Sequence, residues 1–248
     1  MLASLLPPGL DPLMALALVG LSFVTSLITA TFSLGGGTLM IAVLALVFPP
    51  AVVVPVHGCV QLGSNSGRAL VQRDHIQWRL IAWISLGAVI GTIVGGQFVA
   101  YLPEHLFTIA IGAFVLITTW LPQPKIVGEN RLVQFLGGLI ISALSMLVGA
   151  TGPLIATFIK GLADRRQLVA THAMLMTVLN TFKVLTFTAL GFAFGAYLPL
   201  ILVMVLAGFV GTSIGSRLLV KVPERIFRVG FKLVLTLVAL DLIRGALF

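Results

Sequence analysis

The chain has 248 residues, of which 59% are apolar and only 9% charged, with a net charge of +8 and a mean hydropathy of +1.16. A soluble domain is about a quarter charged, so this composition excludes one and specifies an integral membrane protein. The single Cys59 excludes an internal disulfide and any Cys pair for a metal.

No Lys or Arg precedes Arg68, so the first apolar run, 12–33, reads as a retained span rather than a cleaved leader. Behind it stand Gly35, Gly36 and Gly37, three residues that should break a helix, and then a short apolar piece at 38–48. Long runs follow near 51–71, 80–98, 106–122 and 132–148. "GATGP" (Gly149 to Pro153) opens a second short piece at 153–159, and long runs resume at 168–190, 199–217 and 226–247. Each long run is close to the ~20 residues that cross a hydrocarbon core as a helix. The fold expected is all-α, with about ten membrane segments, eight long and two short.

Loop charge selects a topology. With the N-terminus outside and ten crossings, Arg73, Arg79, Lys125, Arg131, Lys160, Arg165, Arg166, Lys221, Arg225 and Arg228 all face the cytoplasm. The opposite turns, at 49–50, 101–105, 149–152 and 195–199, carry no Lys or Arg. Eight crossings would split these basic loops between the two sides, against the positive-inside rule. That rule also accounts for the net charge without a nucleic-acid partner. Arg244, near an external C-terminus, is the exception. At ~1.5 Å per residue neither short piece spans ~30 Å, so each must belong to a broken or shielded span. Trp78 and Trp120 fit interfacial anchors. The location expected is the cytoplasmic (inner) membrane, multi-pass, with both termini external.

The chain also repeats itself. "GTIVGGQFVAYLPEHLF" (Gly91 to Phe107) matches "GTSIGSRLLVKVPERIF" (Gly211 to Phe227) at an offset of 120. Earlier in each half the offset is 115: Gly37 meets Gly152, Leu39 meets Leu154, His57 meets His172, Asn65 meets Asn180, and Arg68 meets Lys183. The halves are 1–124 and 125–248, together one transport domain. Five segments per half is an odd number, so the halves lie inverted in the membrane. Inverted repeats characterise many secondary transporters, whose sites lie between the halves at paired Gly- or Pro-interrupted segments.

With these features the sequence resembles the TauE/SafE family of membrane exporters. The resemblance rests on the Gly-Gly-Gly break, on "QRDHIQWRL" (Gln72 to Leu80), and on the repeated G-T-x-x-G box followed by Pro-Glu, and it covers essentially the whole chain. It implies export of a small anion such as sulfite or an organosulfonate. The chain departs from the family in reading "TLMIAVL" (Thr38 to Leu44) where a proline often follows the glycines, and in having "GATGP" in the second half.

Backbone N–H groups at a helix start bind anions without a full charge. Gly35, Gly36, Gly37 and Thr38, with Thr151 and Gly152 in the second half, are therefore candidates for substrate binding. The alternative is that these glycines only allow close helix packing, which is the reading of the G-T-x-x-G boxes. Arg68 and Lys183 lie within apolar spans, where a charge is a functional candidate by default. Arg68 alternatively snorkels to the surface, as Lys232 is expected to do. His57, Gln61, Asn65 and Arg68 share a helical face, repeated by His172, Asn180 and Lys183 with Met176 in place of the glutamine. Asn65 and Asn180 either donate to substrate oxygens or join helices. His57 and His172 either carry protons near neutral pH or are structural donors.

The acids sit in loops or at span ends, apart from Asp241, which has no repeat partner. No metal site, cofactor or enzymatic constellation is legible: no H-E-x-x-H, no mid-span acid pair, and Cys59 on a different side of its helix from His57. The function expected is a secondary transporter for a small anion, working by alternating access, with a proton or sodium as a possible coupling ion. A homodimer is compatible with this reading. The rivals are an anion channel and a membrane scaffold without transport.

Overall fold

The computed structural model describes residues 6–7, 9–32, 35–99, 101–122, 130–162, 164–218 and 224–247. Lys125, Glu129, Lys221 and Pro223 fall outside them, as do the side chains of Arg165, Arg217, Arg225 and Arg228. Among the described residues there are ten α-helices and no strand. In chain order they are α1 (Pro12–Phe32), α2 (Gly36–Val47), α3 (Pro50–Val71), α4 (Trp78–Val99), α5 (Glu104–Trp120), α6 (Arg131–Val148), α7 (Gly152–Ile159), α8 (Arg165–Ala189), α9 (Leu198–Leu218) and α10 (Glu224–Leu247). Eight are long, from 17 residues in α5 to 25 in α8, and two are short, with 12 residues in α2 and 8 in α7.

Local chemistry sets several boundaries. Asp11 accepts from the backbone N–H of Leu13 at 2.8 Å at the start of α1, Asn130 from Leu132 at 2.9 Å at α6, and Asp164 from Arg166 at 2.8 Å at α8. Pro50 opens α3, where a missing N–H costs nothing. The two breaks turn on glycines with positive φ, Gly35 at 100° and Gly149 at 75°.

Among the described residues, five helices are long and apolar enough to cross a membrane: α1, α4, α6, α8 and a stretch ending in α9. Their outward faces are apolar, as with Leu86, Val89, Ile90 and Ile93 of α4 and Leu202, Leu206, Phe209 and Val210 of α9. Lipid is the solvent that suits such faces. The short helices are enclosed instead. Met40, Ile41 and Leu44 of α2 are buried in one apolar cluster with Val53, Val56 and Val60 of α3; Ile155 and Ile159 of α7 belong to a second, with Ile84, Leu175 and Leu179. The chain is an all-helical, polytopic membrane protein.

Small residues decide which helices touch. A methyl group on Gly87, Gly91 or Gly95 of α4 would lie 1.9, 2.0 or 2.6 Å from the carbonyl oxygens of Phe135, Leu139 or Ala143 of α6. On Gly211 or Gly215 of α9 it would lie 2.2 or 2.6 Å from those of Phe23 or Leu27 of α1. Each G-T-x-x-G box therefore lets its helix rest on a backbone from the other half of the chain, the helices running parallel. Two antiparallel pairs complete the frame. In α5 and α10, Trp120 Nε1 donates to Thr236 Oγ1 at 2.9 Å, and Lys232 Nζ sits 5.1 Å from the Trp120 ring centre. In α3 and α8, Gly58 lies against the aliphatic chain of Lys183, and the backbone N–H of Gln77, beyond the end of α3, donates to Thr171 Oγ1 at 3.0 Å near the start of α8.

The close α4–α6 approach gives a direct stability test. Gly91→Ala should destabilise the protein by about 1–3 kcal/mol through overpacking. Gly20→Ala, at a position with nothing within 4 Å, should not. Thermal denaturation of the two variants in detergent measures the difference.

Candidate functional site

The two breaks and the polar faces of α3 and α8 meet at one cavity of about 30 Å³. That is room for roughly two waters, or for one compact ligand in their place. From α1 and the first break come Thr29, Gly35, Gly37 and Thr38, and from α3 His57, Gln61 and Asn65. The other side consists of Ala150, Gly152 and Pro153 at the second break, with His172 and Met176 of α8.

Each histidine pins a break. His57 donates its Nε2–H to Gly37 O at 3.0 Å, and His172 donates its own to Gly152 O at 3.2 Å. A carbonyl can only accept, so both imidazoles carry a proton on Nε2. The two contacts are the same one, moved 115 residues along the chain. Neither α2 nor α7 has a side-chain cap; the start of α2 keeps the N–H groups before Leu39 at its break, whereas in α7 Pro153 has no N–H and those of Leu154 and Ile155 bond Thr151 O.

Two cations stand behind this cavity. Lys183 is 1% exposed and Arg68 6%, so neither reaches a surface. The Lys183 ammonium donates to Gly149 O, the carbonyl that ends α6, where the helix dipole is negative. The Nε of Arg68 has no hydrogen-bond partner among the described residues. No acid among the described side chains answers them: Asp11, Asp74, Glu104, Asp164 and Asp241 are all exposed. Buried charge without an internal counter-charge is costly, and a bound anion would supply one.

Of the residues singled out from sequence, the cavity gathers Gly35, Gly37, Thr38, His57, Asn65, Gly152 and His172 as lining. Gly36 faces away, packed against Thr25 O and Thr29. Thr151, Arg68, Asn180 and Lys183 are buried without lining it. The asparagine amides are committed to their own helices. Asn180 Nδ2 donates to Met176 O at 2.8 Å, and Asn65 Nδ2 to Gln61 O at 2.8 Å and Gln61 Oε1 at 3.1 Å. The second Asn65 contact orients the Gln61 amide, whose Nε2 lies against Gly37 in the cavity wall. Gln61 is thus the donor to watch. Its signal was the i, i+4 spacing to both His57 and Asn65.

Residues 18–242 match the family model described as sulfite exporter TauE/SafE. The chain belongs to the TauE/SafE family. As a TauE/SafE protein it is a membrane transporter of a family associated with sulfite export, and the cavity lies inside the matched region. Comparison with curated proteins and with solved structures gives no match.

The second break in this TauE/SafE chain depends on glycine for two reasons. Gly149 has φ 75°, and a methyl group there would lie 1.7 Å from Ile41 Cδ1 of α2. Gly149→Ala should therefore cost at least about 1 kcal/mol in backbone strain alone and displace α7 from α2. A lowered melting temperature, together with reduced transport by the folded fraction, is the expected outcome.

Proposed function

We propose that this TauE/SafE protein is a secondary transporter for a small anion, sulfite or a similarly compact sulfonate or carboxylate. It binds the anion between the two glycine breaks and moves it by alternating access. Residues 1–124 and 125–248 form two inverted five-segment repeats within one transport domain, with ten membrane segments and both termini external. The observation that carries this reading is the pair of contacts His57–Gly37 and His172–Gly152 on opposite sides of one cavity. The same contact made twice, from antiparallel helices, is what a two-fold related site requires.

Electrostatics supports an anionic cargo. The N–H groups at the start of α2 lie at the cavity, two buried cations stand outside its lining, and the described acids lie on the outside. The donors that line the cavity belong to backbone, hydroxyl and amide groups, while the full charges stand behind them. Such an arrangement attracts an anion without holding it too tightly to release. Movement is supported by the placement of each short helix in its own apolar cluster, so the clusters can shift against each other around the cavity. A proton or sodium gradient would drive uphill movement.

Counterflow in proteoliposomes tests this. Vesicles loaded with unlabelled sulfite should take up labelled sulfite above its equilibrium level, an overshoot that a channel does not produce. Neutralising one buried cation, as Arg68→Met or Lys183→Met, should lower the initial rate by about tenfold or more, the loss of one charge-assisted interaction. Passive equilibration without overshoot would exclude a carrier.

A further inference from the structure

The duplicated cavity is chemically one-sided. At three corresponding positions the first half carries the more polar or less bulky group and the second half an apolar one. Gln61 corresponds to Met176, Thr38 to Pro153 and Gly35 to Ala150. Gln61 and Thr38 therefore put their side-chain donors on the α2–α3 wall, while across the cavity the Nε2–H of His172 is committed to Gly152 O.

The backbone follows the same division. In α2 the first intrahelical bond at the break is Leu39 N–H to Gly35 O, which leaves the N–H groups before it for other partners. In α7, Pro153 has no N–H at all, and those of Leu154 and Ile155 both go to Thr151 O at 3.0 and 3.1 Å. The Met176 thioether, on the same side, is at most a weak acceptor.

From this we infer that the cavity selects anions whose oxygens are gathered on one face, and that Met176 and Pro153 are the residues that reject a fourth oxygen. The inference rests on the reading of the cavity as the anion site. A pyramidal trioxo anion, or a sulfonate with one small carbon substituent, turns its oxygens to Gln61, Thr38 and the start of α2. Its lone pair or methyl group then meets Met176 and Pro153. A tetrahedral oxyanion such as sulfate must point one oxygen at that apolar wall, where it exchanges water for no donor. An unsatisfied buried acceptor is costly enough to separate two such ligands by roughly tenfold or more.

Competition against labelled sulfite uptake, with methanesulfonate and sulfate as competitors, tests the inference. The wild-type protein should favour methanesulfonate over sulfate by about tenfold or more. Met176→Gln should move that ratio towards sulfate by a similar factor, whereas Met176→Leu should preserve it. Because the two competitors keep their charges throughout, the change in ratio isolates the wall. Pro153→Thr, which restores a hydroxyl and an N–H at the position matching Thr38, provides a second variant and should shift the ratio the same way. Anion transport with a ratio unmoved by both variants, or a wild-type preference for sulfate, would overturn the one-sided wall alone. A wild-type protein that transports no anion would overturn the transport reading and this inference together.

Discussion

The whole structure depends on how a membrane protein satisfies backbone that is not helical. Lipid offers no hydrogen bonds, so a break in a spanning helix must be buried in protein or line a cavity. Here the solution is the imidazole of His57 on Gly37 O and of His172 on Gly152 O. The Lys183 ammonium adds a third bond, to Gly149 O. These bonds occupy carbonyls at the breaks and leave the N–H groups at the start of α2, before Leu39, at the cavity. A break stabilised in this way has a positive electrostatic character, with no acidic partner among the described side chains.

The rest of the fold brings two such breaks together. α1 packs on α9 and α4 on α6, each pair joining the two halves, and both approaches require the absence of a side chain at Gly91, Gly95, Gly211 and Gly215. α3 and α8 then cross the middle as an antiparallel pair and deliver their histidines from opposite directions. The exchange of partners between halves explains why neither half encloses its own short helix with its own residues alone. Ile41 of α2, for example, packs against Gly149 of the second break.

Much of this was legible in the sequence. Apolar length and glycine punctuation placed the short pieces at 38–48 and 153–159, within two residues of α2 and α7. The 115-residue offset picked out the two histidines that make equivalent contacts. Partner choice was not legible: the G-T-x-x-G box signals close packing but does not name the helix that fills the space. Nor were the amide directions. Asn180 looks like a ligand on a helical wheel, yet a short amide readily bonds the carbonyl one turn back, and its Nδ2 does so to Met176 O. Snorkelling of Arg68 was a fair expectation from its distance to the end of its span. Its burial to 6% exposure comes from tertiary packing, which spacing does not encode.

On the transport reading proposed above, these features centre on a pair of buried cations, one from each half, with no acid partner among the described side chains. Titration calorimetry of sulfite into the detergent-solubilised protein addresses that claim most directly. The account predicts one saturable site per chain, with binding weakened in both Arg68→Met and Lys183→Met while both variants remain folded. Binding that persists unchanged in both variants would contradict it.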